Sequence, residues 1–183
     1  MTEGGFPALA TAFPEAASLG EELTEAGMTV AVAESCTGGL LGAVLTANAG
    51  SSTYMRGGII AYADDVKADH LGVGRHLLAT HGAVSAEVAV AMAAGARARF
   101  EATIGVAITG VAGPSASEQK PAGLVFVAVV LPGTSQVIRL DKDLGREANR
   151  AQAVHTALAL VADAIRPPRK DPGASRSDGA AGT

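Results

Sequence analysis

Val30-Ala31-Val32-Ala33-Glu34-Ser35-Cys36-Thr37-Gly38-Gly39-Leu40-Leu41 is the stretch whose reading decides the fold. It opens as a small apolar run suited to a buried strand. It closes in two glycines followed by Leu40-Leu41-Gly42-Ala43-Val44-Leu45, which suits a packed helix. Between them stand two hydroxyls and a thiol. A strand-to-helix turn aims side chains and free backbone N–H groups at one point, and those N–H groups favour negative charge. A nucleophile in the turn would then have an oxyanion site beside it. An ordinary glycine turn, with Ser35 or Thr37 capping the helix, fits the same letters.

Outward from this turn the chain alternates between helix and strand. Pro14 can start a helix in which Leu19, Leu23 and Ala26 share a face, with Gly27 as its stop. Thr29 to Glu34 reads as the first core strand and Gly39 to Ala47 as a helix. Gly58 to Tyr62 is a short strand, and Asp64-Asp65 can cap a helix from Val66 to Leu71. Residues 72–82 read as a loop with a helical turn near 76–79. Ser85 is an N-cap for a helix on which Val88, Met92, Ala96 and Phe100 recur every four residues. Thr103 to Thr109 is apolar on both faces, as a central strand should be. Residues 110–122 form a long loop. Leu124 to Val130 and Gln136 to Leu140 pair through Pro132-Gly133. A last helix spans Arg146 to Ile165, with a stripe of Ala151, Val154, Leu158, Val161 and Ile165. This order predicts a three-layer αβα sandwich around a mixed, mostly parallel sheet. Residues 14–166 form its one domain, between a flexible stretch 1–13 and a disordered tail 167–183.

Composition narrows the function classes. Of the 183 residues, 48% are hydrophobic but only 3% aromatic, and the formal net charge is −4. Such a chain lacks the basic patches and stacking aromatics of a nucleic-acid binder. No apolar run reaches the roughly 18 residues of a membrane span, and no signal peptide is evident. A cytoplasmic protein without membrane or nucleic-acid partners is expected. The low charge makes a homo-oligomer the expected state. The single cysteine, Cys36, excludes an intramolecular disulfide. None of His70, His76, His81 and His155 pairs with His or Cys at ligand spacing on one helix face, so no metal site is expected. Neither a phosphate-binding loop nor a dinucleotide fingerprint is present.

What remains is a hydroxyl nucleophile activated without a His–Asp pair. Lys67 is the natural base, since a lysine placed by burial or positive potential can take a proton. Tyr62, five residues earlier, can bond the lysine or relay a proton through its hydroxyl. The same residues would serve equally as a solvated lysine and a packing tyrosine. Cys36 competes with Ser35, because a helix N-terminus stabilises a thiolate; neighbouring residues in a turn point apart, so one of the two faces the site. Arg146 and Arg150 lie one helical turn apart and can grip a phosphate or carboxylate. Surface ion pairs with Glu147 or Asp143 would explain them as well.

The combined motifs resemble the CinA C-terminal domain family from residue 14 to 165. Those motifs are Ala33-Glu34-Ser35-Cys36-Thr37-Gly38-Gly39, Gly50-Ser51-Ser52, Gly57 to Tyr62 with Lys67, His81 to Ser85, Thr109 to Pro114, and Lys120 to Gly123. The family is known as nicotinamide-nucleotide amidohydrolase (nicotinamide mononucleotide deamidase), and this chain resembles its stand-alone form. The resemblance implies hydrolysis of nicotinamide mononucleotide to nicotinate mononucleotide and ammonia, in pyridine nucleotide recycling, without metal or other cofactor. By motif match the catalytic set is Ser35, Tyr62 and Lys67, with either Lys67 or Tyr62 as immediate base and Ser35 preferred over Cys36. The substrate-binding set would be Thr37, Gly38, Ser52, Thr109, Gly110, Gly113, Lys120, Arg146 and Arg150. The chain departs from the family pattern in two places. Ser115 to Gln119 replaces a glycine-paired loop, and Leu144-Gly145-Arg146 stands where Gly-Asp-Arg is usual. These changes leave two alternatives: an inactive accessory protein of the family, or a hydrolase of another small amide.

Overall fold

The computed structural model describes residues 8–166. The expected disorder of the tail, and the first seven residues, lie outside that range. Seven helices and five strands follow one another: α1 (Leu9–Ala12), α2 (Glu15–Glu25), β1 (Val30–Glu34), α3 (Leu40–Leu45), β2 (Met55–Ile60), α4 (Asp64–Leu71), α5 (Arg75–His81), α6 (Ala86–Arg99), β3 (Ile104–Gly110), β4 (Val125–Leu131), β5 (Thr134–Leu140) and α7 (Arg146–Ile165). A 3₁₀ turn, Ser51–Thr53, precedes β2. The sheet order is β2-β1-β3-β4-β5, with β3 in the centre as its double-sided apolar sequence predicts. β1 pairs in parallel with β2 and β3, while β4 pairs antiparallel with β3 and β5. Only β4 is therefore reversed, although the ladders divide evenly into two parallel and two antiparallel.

Alternation along the strands sorts side chains by size. Val30, Val32, Ile104, Val106, Ile108, Val125, Val127 and Val129 pack with α1, α2, α3 and α7. Ala31, Ala33, Ala107 and Ala128 face α4 and α6 instead. Small residues let α6 come close. At Gly95, a Cβ would stand 1.9 Å from the Leu71 carbonyl oxygen, so only glycine fits where α6 crosses the end of α4. Ser85 caps α6 as its sequence predicts, accepting from the Val88 N–H at 3.3 Å.

The start of the sheet carries a reciprocal clamp. The Thr29 N–H donates to the Thr103 hydroxyl at 2.6 Å, and the Thr103 N–H to the Thr29 hydroxyl at 3.1 Å. The Thr103 hydroxyl also donates to the Thr29 carbonyl at 2.8 Å.

Three readings change. Residues 9–12, expected to be frayed, form a helical turn, and Phe13 is buried against the core because α2 and α7 leave it an apolar seat. The segment 72–82 contains a full helix, α5. Asp64 does not cap α4; it lies inside the first turn, where its carboxylate meets Lys67.

Candidate active site

β1, β2 and β3 end side by side, with Glu34 level with Ile60 and Ile108. From β1 the chain leaves on one face through α3, and from β2 it returns on the other through α4–α6. The carboxyl ends of β1 and β3 therefore flank a topological switch point, the usual crevice of open α/β sheets. A cavity of about 210 Å³ opens there. Ser35, Cys36, Tyr62, Asp64, Lys67, Thr109, Gly110, Gly113 and Arg146 line it, together with Ser115, Ser117 and Glu118 of the long loop.

The alternation of β1 continues into the turn. Ala31 and Ala33 face α6, and Ser35, two residues on, reaches the cavity on that side. Val30 and Val32 join the opposite core, and Cys36 packs with them while still bordering the cavity. The Cys36 thiol is pushed up to about 11, first by burial and further by the charge of Glu34. A thiolate is thus disfavoured, against the expectation that the helix start would stabilise it. The reason is that the N–H groups at that start are already taken. Glu34 is 1% exposed, and its carboxylate accepts from Gly39 at 3.0 Å, Leu41 at 3.1 Å and Gly42 at 2.8 Å. The predicted cap by Ser35 or Thr37 is therefore replaced by Glu34, with Gly39 (φ 96°) turning the chain into α3. The Thr37 hydroxyl is buried without a partner among the described residues. Among those residues, no protein acceptor engages the N–H of Thr37, and the Cys36 N–H meets only its own thiol.

Lys67 is the largest fully buried side chain, 1% exposed. A buried amino group requires partners, and Nζ donates to the Tyr62 carbonyl at 3.0 Å and to Asp64 Oδ1 at 3.2 Å. Tyr62 thus meets Lys67 through its backbone, not its hydroxyl. The tyrosine follows β2 instead of ending it, and its side chain is 61% exposed at the cavity mouth. Thr109 is buried on the cavity wall and donates to the Ala83 carbonyl at 2.8 Å.

The predicted substrate-binding set divides. Thr109, Gly110, Gly113 and Arg146 border the cavity with the catalytic candidates. Arg146 also donates to the Gly113 carbonyl at 2.8 Å. Arg150 lies behind the turn, where it donates to the Thr37 carbonyl at 2.7 Å and braces the turn after β1. Thr37 and Gly38 are on that brace and not among the cavity-lining residues. Lys120 donates to the carbonyls of His81 at 2.9 Å and Val84 at 2.6 Å, strapping the long loop down. Ser52 sits before β2, whose first residue pairs with Val30, so it is at the opposite end of the sheet.

Two residues escape the sequence reading. Glu34 had a signal, a charge closing an otherwise apolar strand. Asn149 is buried and donates to the Ala112 carbonyl at 3.0 Å and to Asp143 at 2.8 Å, holding the loop beside Gly113. Its signal was spacing: Asn149, Ala153 and Ala157 form a buried row on α7. Among the described residues no group of three or more His, Cys, Asp or Glu is arranged to hold a metal, and no helix is long and apolar enough to cross a membrane.

Comparison with known proteins adds to this geometry. The model of the CinA C-terminal domain matches residues 13–165. A CinA-like protein of Frankia casuarinae is 50% identical over 141 residues, covering 76% of this chain and 32% of that protein. A CinA-like protein of Gloeobacter violaceus is 47% identical over 142 residues, covering 76% and 33%. The chain thus spans about a third of the length of these curated relatives. The crystal structure of competence/damage inducible protein CihA from Agrobacterium tumefaciens superposes with a TM-score of 0.81 at 40% identity, covering 88% of this chain and 98% of that one.

Proposed function

Because the chain belongs to the CinA C-terminal domain family, we propose that it is an amidohydrolase converting nicotinamide mononucleotide to nicotinate mononucleotide and ammonia. The observation that carries this reading is a fully buried lysine and a serine on the wall of one cavity, at the switch point of the sheet. Ser35 attacks the carboxamide carbon while Lys67 Nζ takes the hydroxyl proton. The N–H groups of Cys36 and Thr37, neither held by the Glu34 carboxylate, receive the developing oxyanion. The C–N bond breaks as the proton passes to the leaving nitrogen, ammonia departs, and water then hydrolyses the acyl-serine. Asp64 and the Tyr62 carbonyl hold Lys67 in place. The Tyr62 ring, at the mouth, borders the incoming substrate, and Arg146 is the cation offered to its phosphate.

Incubation of the purified protein with nicotinamide mononucleotide tests this, with ammonia and nicotinate mononucleotide measured together. Equal yields are expected; no ammonia at high enzyme concentration overturns the reading. One observation favours a second substrate class. Glu118 and Asp64 line the cavity along with Arg146, so carboxylates as well as a guanidinium face the substrate there. A neutral carboxamide would suit such a cavity, and ammonia from it but not from the mononucleotide would select that class.

A further inference from the structure

We infer that Glu34 is a positioning residue for Ser35, holding the turn through the start of α3 and leaving the amides beside Ser35 outside its grip. The inference rests on the amidohydrolase reading for its kinetic consequence and on geometry for the rest. Three N–H groups converge on one carboxylate, two on Oε2 and one on Oε1, at 2.8–3.1 Å. All three belong to Gly39, Leu41 and Gly42, beyond the nucleophile, and Glu34 precedes it. Ser35, Cys36, Thr37 and Gly38 are therefore spanned by a closed loop of hydrogen bonds anchored at both ends. Among the described residues, only backbone donors reach this carboxylate, so it is matched to the turn and to nothing else.

The consequence reverses the simple view of a strand-to-helix turn. The helix start does not face the reacting carbonyl; it faces an internal anion. Oxyanion stabilisation is left to amides nearer Ser35. The same anion, lying behind Cys36, works against a thiolate, while Arg150 and Arg146 act in the opposite sense. A serine hydroxyl, neutral until it attacks, carries no such penalty. Glu34 thereby shapes the turn and favours the hydroxyl over the adjacent thiol.

Glu34→Gln keeps the shape but offers an NH₂ where an acceptor is needed. It should lower kcat about 10²-fold, the scale of a small misplacement of a reacting group, and leave KM unchanged. The midpoint for alkylation of Cys36 by iodoacetamide should fall below that of the parent, whose thiol is held up by burial and by the Glu34 charge. Glu34→Asp retains charge but draws it back by one methylene, so kcat should stay low while Cys36 remains suppressed. Hydrogen exchange in the unsubstituted protein supplies a measurement independent of folding of either variant. The amides of Gly39, Leu41 and Gly42 should exchange far more slowly than that of Cys36. Equal exchange, or a Gln variant with full kcat, overturns the inference. Alkylation and exchange need no substrate, so they decide it even if the mononucleotide is not turned over.

Discussion

One face of the sheet presents Val30, Val32, Ile104, Val106 and Ile108; the other presents Ala31, Ala33, Gly105 and Ala107 from the same two strands. The difference teaches where stability and chemistry separate. The bulky face fills the space beneath four helices and ends in Cys36, buried with that core and touching the cavity only at its edge. The small face lets α6 lie close, and its line continues through Ser35 and Thr109 into the cavity. Short side chains along that face leave room at its end for a buried lysine arriving from α4. Bulk on one side and closeness on the other are two ways of excluding water, and only the second leaves polar groups at its border.

The comparison breaks most sharply at adjacent residues. Ser35→Ala should reduce amide hydrolysis about 10³-fold or more with the melting temperature unchanged, whereas Cys36→Ala should remain active. Steady-state kinetics of both variants decide it, and the reverse result would move the nucleophile to the bulky face. Next comes the close approach of α6. Gly95→Ala places a methyl against the Leu71 carbonyl and should cost about 3 kcal/mol in urea unfolding.

A pH titration probes the sealed thiol. Burial raises Cys36 from 9.0 to about 11 in the folded chain, so the folded state holds its proton longer. Its contribution is complete below pH 9 and is lost as pH rises through 11. The loss should be about 2–3 kcal/mol, read as the difference between the parent and Cys36→Ala. The smallest effect is expected where the bulky face loses one methyl. Ile108→Val should cost about 1 kcal/mol, less than the methyl added at Gly95. If the removed methyl costs more than the added one, the contrast in packing is wrong.

Much of this was legible in the sequence. The strand–turn–helix at residues 30–45, the double-sided β3 and the span of α7 follow from periodicity and turn residues. The period of two places Ser35 on the face of Ala31 and Ala33, but the sequence alone leaves Ser35 and Cys36 as alternatives. The rest depends on tertiary placement. Arg146 and Arg150 do lie one turn apart on α7, but spacing cannot tell that one meets the cavity and the other the back of the turn. Lys120 looks like a free cation until folding brings the carbonyls of His81 and Val84 to it. Ser52 shares a motif order with the site but precedes β2, and strand direction carries it to the far end. Tyr62 lies close to Lys67 in sequence, but it contributes its carbonyl to the lysine because the strand stops two residues early.

The threonine clamp at the start of β1 and β3 acts at a distance. A slip of one residue in that pairing would exchange the parity of β1 against its neighbours. Cys36 would then turn towards Lys67, and Ser35 would enter the core. The hydroxyls of Thr29 and Thr103 therefore act as a setting key: at one edge of the molecule they decide which heteroatom, oxygen or sulfur, is presented at the other.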